Sequence, residues 1–200
     1  MRKAYFFILL LLCGVVVQAQ KKLTYNSGLK AGVNLYQLKM DPAGEGISTD
    51  MRTNFNAGIF YNIQLNSMFS LQPELLYSGQ GSKYKGDKYA SEWAMSFVSI
   101  PVLVQYNTPV GFYIEAGPSL NVLAKGKETT TNNGVTSELD LKKKVKKSGI
   151  SIMGGIGYKM KNYGINARYD YGITSLTKND TDPEFKSSGI QVSLSWSFKQ

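Results

Sequence analysis

Apolar and polar residues alternate without interruption along the last segment of the chain. One set comprises Ile190, Val192, Leu194, Trp196 and Phe198, and the residues between them are a glutamine and three serines. Successive side chains of a β-strand point to opposite faces of a sheet, so this period of two predicts a strand with one apolar and one polar face. The fold must therefore offer each strand two different environments.

Seven further segments repeat this period and are bounded by turn residues. They cover residues 27–38, 54–65, 69–78, 95–106, 111–123, 149–160 and 163–172. The connections alternate between short (66–68, 107–109, 161–162) and long (39–53, 79–94, 124–148, 173–186). Eight antiparallel strands joined in this way are typical of an up-and-down barrel whose two rims face different compartments.

Charged residues are confined to one face of the predicted strands. The apolar faces hold none, and the opposite faces carry Lys30, Glu74, Glu115, Lys159, Arg168 and Asp170. A lysine or arginine facing lipid at mid-membrane costs roughly 2–4 kcal/mol. The charge-free faces therefore meet the requirement for lipid contact, and the six charges are expected inside the barrel.

Aromatic residues collect at the ends of the apolar faces. The ends next to the short turns hold Phe69, Tyr106, Phe112, Tyr158, Tyr163, Trp196 and Phe198, and the opposite ends hold Phe55, Tyr77 and Tyr171. Two aromatic girdles are expected where a barrel meets the membrane interfaces. The sequence thus predicts an all-β, eight-stranded antiparallel up-and-down transmembrane β-barrel of the small OmpA/OmpX type, with the last strand paired to the first at residues 29–35.

Three prolines fall inside the predicted strands. Pro73, Pro101 and Pro118 each remove a backbone donor from the hydrogen-bond ladder. A closed barrel has no edge strand on which to place them, so each is expected to mark a bulge or a bend.

The first 19 residues have the features of a secretory signal peptide. Arg2 and Lys3 precede an apolar run over residues 4–17, and residues 17–19 form a small-x-small cleavage site. The run is shorter than the about 20 residues of a membrane-spanning helix. A single barrel domain over residues 20–200 would remain, with 21 basic and 14 acidic residues, a net charge of +7, and without the chain's one cysteine, Cys13.

The chain contains no histidine. Histidine is the commonest general base and metal ligand, so Ser-His and Cys-His catalytic pairs are excluded and an enzyme is not expected, although a Ser-Lys or paired-carboxylate site stays formally open. Asp180, Asp182 and Glu184 could contact a hard cation, but no complete Ca²⁺ ligand pattern is present. Neither a metal nor a cofactor is expected.

Several segments resemble a known family, the outer-membrane β-barrel domain proteins common in Bacteroidetes, often labelled porin-family or PorT-like. The similar segments are "QAQ" at 18–20, "LQPELLYSGQG" at 71–81, "VSIPVLVQY" at 98–106, "FYIEAGPSLNVL" at 112–123 and "ARYDYGITSL" at 167–176. The resemblance covers about residues 23–198. It implies an outer-membrane location but no specific activity.

Two features suggest what such a barrel does. An eight-stranded interior is just filled by side chains, so the six inner charges are interpreted as an ion-pair network rather than a proton or ion path. Residues 124–148 carry seven lysines against three acidic residues. Lys142, Lys143, Lys144, Lys146 and Lys147 therefore form a candidate polyanion-binding loop.

The sequence thus predicts a monomeric outer-membrane protein with a structural or surface-interaction role. Both termini would lie in the periplasm, and the lumen would not be an open pore. The expected partners are lipid, lipopolysaccharide and, during biogenesis, the barrel-assembly machinery; nucleic acid is not expected. The alternative is a soluble periplasmic or secreted barrel that binds a small apolar ligand.

Overall fold

Nine β-strands make up most of the described chain. The computed structural model describes residues 24–41, 49–85, 89–132, 135–141, 145–177 and 184–198, and the predicted signal peptide lies outside these ranges. The strands are β1 (Thr24–Asp41), β2 (Thr49–Gln64), β3 (Phe69–Lys85), β4 (Tyr89–Asn107), β5 (Phe112–Asn132), β6 (Val135–Asp140), β7 (Ser148–Lys159), β8 (Tyr163–Gly172) and β9 (Glu184–Ser197). No helix in these ranges is long and apolar enough to cross a membrane.

Eight of the strands close into an antiparallel ring. The order is β1-β2-β3-β4-β5-β7-β8-β9, and β9 pairs back to β1. Leu29 lies opposite Trp196 and Leu35 lies opposite Ile190, which confirms the predicted pairing of the last strand with the first. Among the described residues, β6 pairs with β5 alone and stands outside the ring.

The two ends of the ring differ in structure. At one end, which we call the turn rim, short connections span residues 65–68, 108–111 and 160–162. Gly111 has a φ of +95° there, a conformation that glycine adopts without the steric cost of a Cβ. We call the opposite end the loop rim.

The strands extend well past the predicted boundaries at the loop rim. Residues 79–94 and 124–148 were expected to be loops, but Lys85 pairs with Ala90, Asn132 pairs with Tyr89, and β6 adds a further strand. Polar residues interrupt both faces of these extensions, with Lys127 on one face and Ser91 and Glu128 on the other, so neither face shows the apolar period by which the inner strand segments are recognised. We call residues 81–85, 89–96, 125–132 and 135–140 the protruding sheet.

The two faces of the ring strands have opposite environments, as the alternation predicts. Leu194 is 64% exposed on the outer face, whereas its neighbour Ser193 is 2% exposed inside. Aromatic pairs line the outer face near both rims. The ring centres of Phe112 and Tyr158 are 4.7 Å apart at the turn rim, and those of Phe55 and Tyr77 are 5.7 Å apart towards the loop rim. The side chains that would meet lipid are therefore apolar, and most of the interior is polar.

The prolines interrupt the ladder without forming bulges, so the bulge alternative is wrong, and the bend alternative stays a prediction. The register is the same on both sides of Pro73 in β2–β3, of Pro101 in β3–β4 and of Pro118 in β4–β5, and only the pairs beside each proline are missing. Each missing donor affects one ladder, and no extra residue is inserted. The register shifts instead lie near the loop rim, between residues 51 and 56 and between residues 96 and 97.

An apolar cluster fills the interior at the loop rim. Its buried members, together called the loop-rim cluster, are Leu38, Met95, Phe97, Leu141, Val145 and Leu176. Trp93 and Leu123 pack against it, and Val145 forms an isolated bridge with Thr177. Segments between the strands are thus folded inward, and their apolar side chains cover this end of the barrel.

Replacing Leu194 with arginine should destabilise the barrel by about 2–4 kcal/mol, because the charge would face hydrocarbon. Ser193→Ala should cost only about 1 kcal/mol, since it removes the single hydrogen bond that the Ser193 hydroxyl donates to Asn56 at 3.0 Å. Urea unfolding of both variants in lipid vesicles, with Leu194→Ala as a size control, measures the difference. Equal losses for Leu194→Arg and Ser193→Ala would contradict the assigned faces.

Candidate functional site

Four charged side chains meet in the middle of the barrel. Arg168 on β8 lies between Glu74 on β3 and Glu115 on β5, with all three side chains almost completely buried. The guanidinium donates to Glu74 at 2.7 Å through both terminal nitrogens, and its Nε donates to Glu115 at 2.5 Å. Lys30 on β1 donates to Glu74 at 2.8 Å. We call these four residues the central charge network, and its two positive and two negative charges cancel.

Side-chain amides complete the hydrogen bonding of both carboxylates. Gln72 donates to Glu74 at 2.7 Å, and Gln105 and Asn166 donate to Glu115 at 2.9 and 3.2 Å. Burying a charge is tolerated when it is paired and its remaining lone pairs are satisfied. The network therefore connects strands on opposite sides of the ring through bonds that water would otherwise supply.

Glycines make room for the largest side chains of the interior. A Cβ at Gly155 would approach Arg168 Cγ to 2.8 Å, and one at Gly157 would approach the Tyr113 ring to 2.3 Å. Real Cβ atoms do not approach neighbours so closely, so any other residue would displace the arginine or the tyrosine. The segment "GGIG" at residues 154–157 thus shapes the wall behind the network.

The other two predicted charges lie apart from this network. Asp170 accepts a hydrogen bond from the Tyr36 hydroxyl at 2.6 Å, and Gln191 donates to the same hydroxyl at 2.8 Å. Lys159 donates to the side-chain oxygens of Gln105 at 2.9 Å and Asn107 at 2.7 Å. The structure thus groups four of the six predicted residues and places one charge on either side of them.

Sequence reasoning did not identify the tyrosine partners of the interior charges. The alternation places Tyr36 inside together with Lys30 in segment 27–38, and Tyr113 inside together with Glu115 in segment 111–123, and both are buried there. The alternation cannot give their cross-strand contacts, because these depend on the stagger of strands distant in sequence. Leu103, which interrupts the polar face of segment 95–106, is also buried inside.

A cavity of about 400 Å³ lies between the central charge network and the turn rim. Its lining includes Asn26, Lys30, Gln72, Tyr113, Lys159 and Lys161. Towards the loop rim, the loop-rim cluster lies beside a much smaller cavity of about 20 Å³ whose lining includes Phe97, Asp170 and Leu176.

The candidate polyanion-binding loop is only partly described. Lys142, Lys143 and Lys144 lie outside the described residues, whereas Lys147 is exposed and Lys146 is half-buried. The flanking Leu141 and Val145 are buried in the loop-rim cluster. Both ends of the lysine segment are thus held at the loop rim.

The acidic segment near residue 182 gives no metal site in the described part of the chain. Asp180 and Asp182 lie outside it, and Glu184 pairs with Lys186 at 3.1 Å. No group of three possible metal ligands occurs among the described residues.

Arg168→Met should destabilise the barrel by about 3–5 kcal/mol, because it leaves two buried carboxylates without their shared cation. Adding Glu115→Gln should recover part of this loss, since Lys30 still neutralises Glu74. Urea unfolding in lipid vesicles compares Arg168→Met, Glu115→Gln and the double variant. A double variant less stable than Arg168→Met would show that the network is not organised around this arginine.

Two known barrels share the overall fold of this chain. Ail, the attachment invasion locus protein of Yersinia pestis, superposes with a TM-score of 0.54 at 13% identity, covering 86% of this chain and 98% of Ail. The structure of Ail in complex with the heparin analogue sucrose octasulfate superposes with a TM-score of 0.52 at 13% identity, covering 87% of this chain and 99% of Ail. Neisserial surface protein A superposes with a TM-score of 0.53 at 14% identity, covering 89% of this chain and 100% of that protein. At these identities the likeness shows the fold.

The sequence itself provides the family assignment. No curated protein matches it. The family model described as the outer membrane protein beta-barrel domain matches residues 18–178, which is most of the chain. The chain therefore belongs to the outer membrane protein β-barrel domain family.

Proposed function

We propose that this protein is a monomeric outer-membrane barrel that acts in surface interaction rather than in transport or catalysis. The loop rim would face outward, and both termini would lie in the periplasm. The observation that carries the proposal is the contrast between the rims: the loop rim bears the exposed strand β6 and basic residues above the loop-rim cluster. Family membership supports the outer-membrane location. The resemblance of the segments quoted from the sequence supports the further proposal that the chain is one of the Bacteroidetes porin-family or PorT-like members.

The interior supports a closed barrel. The loop-rim cluster covers one end, and the central charge network spans the middle with direct contacts of 2.5–2.8 Å. An ion crossing the barrel would have to displace both. The purified protein in a planar bilayer should therefore show no large, steady conductance, and such a conductance would contradict the closed lumen.

The protruding sheet offers a surface for a partner. Every residue of β6 is exposed, and β6 forms one ladder, to β5, among the described residues. An open strand edge presents unpaired backbone groups that an extended segment of another chain can bind. The neighbouring pair Lys127–Glu138, 2.5 Å apart, keeps charged side chains on this surface.

The lysine segment favours polyanions as partners. Five lysines fall within residues 142–147, next to the exposed Lys125 and Lys127. Ail has been crystallised with the sulfated heparin analogue sucrose octasulfate. On a loop rim facing outward, this chain's lysines would meet the phosphate groups of lipopolysaccharide, which is the partner we propose.

The alternative of a soluble barrel that binds an apolar ligand has little support. Apolar side chains cover the outer face, whereas the middle of the interior holds paired charges and amides. The cavity at the turn rim is lined mainly by polar residues. An apolar ligand would find no suitable surface there.

The orientation is tested with two cysteine variants, because the predicted mature chain has no cysteine. Lys147→Cys lies at the loop rim and Lys161→Cys at the turn rim, and both native lysines are exposed. A large maleimide reagent that does not cross the outer membrane should label Lys147→Cys on intact cells and Lys161→Cys only after lysis. The reverse pattern would invert the proposed orientation.

Reversing the lysine cluster should weaken lipopolysaccharide binding. Replacing Lys142, Lys143, Lys144, Lys146 and Lys147 with glutamate should lower affinity at least about tenfold at low salt, since each basic residue contributes about 1 kcal/mol near an anionic surface. Glutamine at the same positions should give a smaller loss. Flotation with lipopolysaccharide-containing vesicles measures the binding.

A matched pair of single variants controls for net charge. Lys147→Glu and Lys161→Glu change the charge equally at opposite rims, and only Lys147→Glu should weaken binding. Equal effects, or unchanged binding by the five-lysine variant, would contradict the proposed role of the loop.

A further inference from the structure

We propose that the cavity at the turn rim binds a small hydroxylated organic acid, with Lys159 holding its carboxylate. This site lies at the end of the barrel opposite the lysine segment. The inference does not depend on the surface role proposed above.

The cavity has the size and lining of a small-molecule site. Its volume of about 400 Å³ falls in the usual range of about 300–1,000 Å³ for ligand pockets. Side-chain amides of Asn26, Asn62 and Gln72 lie in its wall beside the ring of Tyr113. Amides and one aromatic face are suited to a ligand that carries several hydroxyl groups.

The charge of the lining selects an anion. Its described residues include three lysines, Lys30, Lys159 and Lys161, and no aspartate or glutamate. Lys30 is already neutralised by Glu74 at 2.8 Å. The cavity therefore keeps an excess of positive charge, and an anionic solute would offset it.

Lys159 is held in place without a carboxylate partner among the described residues. Its ammonium donates to the oxygens of Gln105 and Asn107 and lies 4.9 Å from the centre of the Tyr113 ring. An ammonium has three N–H donors, so these two acceptors leave one for a ligand. Glu115, which Gln105 links to Lys159, is bonded to Arg168, Gln105 and Asn166.

A residue of the cavity lining carries an unsatisfied acceptor, which indicates the second group of the ligand. Asn26 Oδ1 is buried and has no hydrogen-bond partner among the described residues. A buried acceptor without a partner costs free energy, which a ligand hydroxyl would recover by donating to it once the Asn26 side chain rotates towards the cavity. A carboxylate on Lys159 and a hydroxyl on Asn26 together define a hydroxy acid.

Three probes separate the two groups. Gluconate carries a carboxylate and hydroxyls, sorbitol has a similar polyol chain without the carboxylate, and acetate has the carboxylate without the hydroxyls. Titration calorimetry on the purified full chain in detergent micelles should show gluconate binding at least about tenfold more tightly than either control. Equal binding of gluconate and sorbitol, or no saturation by gluconate at about 10 mM, would overturn the proposal.

Variants test the assigned residues. Lys159→Met should weaken gluconate binding at least about tenfold, whereas Lys159→Arg should restore it to within about threefold. Asn26→Ala should weaken gluconate binding without affecting acetate. Lys147→Met, at the other rim, is the matched control and should leave gluconate binding unchanged.

Two further readouts keep the outcomes distinct. Heat-modifiable gel migration shows whether each variant is folded, and gluconate binding by a folded Lys159→Met variant at the native affinity would overturn the site. Lipopolysaccharide binding should be the same in Lys159→Met and the native chain. Failure of this site and failure of the surface role therefore give different results.

Discussion

The pairing of β9 with β1 is the constraint on which the rest of the structure depends. Hydrocarbon offers no hydrogen bonds to backbone groups, so a sheet in a membrane must satisfy every ladder internally, and closure is the way to do so. Fourteen successive residue pairs join the two strands, from Gly28–Ser197 to Asp41–Glu184. Once the ring is closed, successive side chains of each strand face alternately outward to lipid and inward to the lumen.

Closure at eight strands also dictates what the lumen can hold. The interior of such a ring is only wide enough for side chains. Charges placed there cannot be hydrated in the ordinary way, so they must meet partners from other strands. Arg168 does this for two carboxylates, and Gly155 leaves the space that its side chain needs. The same narrowness brings the central charge network across the middle of the lumen.

The interior of the barrel is apolar at the loop rim and polar at the turn rim. At the loop rim, connecting segments bring Leu141, Val145 and Leu176 together above the polar middle. At the turn rim the connections are too short to fold inward, and a polar cavity remains whose described lining holds Lys159 and Lys161 but no acidic residue. The proposed surface role and the proposed small-solute site would thus lie at opposite ends of the barrel, with the central charge network between them.

The sequence by itself determined the eight ring strands, their two faces and the pairing of the last strand with the first at residues 29–35, because a period of two and an even strand count leave few alternatives. It also indicated that Lys30, Glu74, Glu115 and Arg168 lie inside. Only the tertiary structure decided that these four meet while Lys159 and Asp170 do not, since that depends on the stagger of strands distant in sequence. It alone located the protruding sheet and the loop-rim cluster, because polar extensions above a membrane have no apolar face to show a period, and contacts between loops have no local signature.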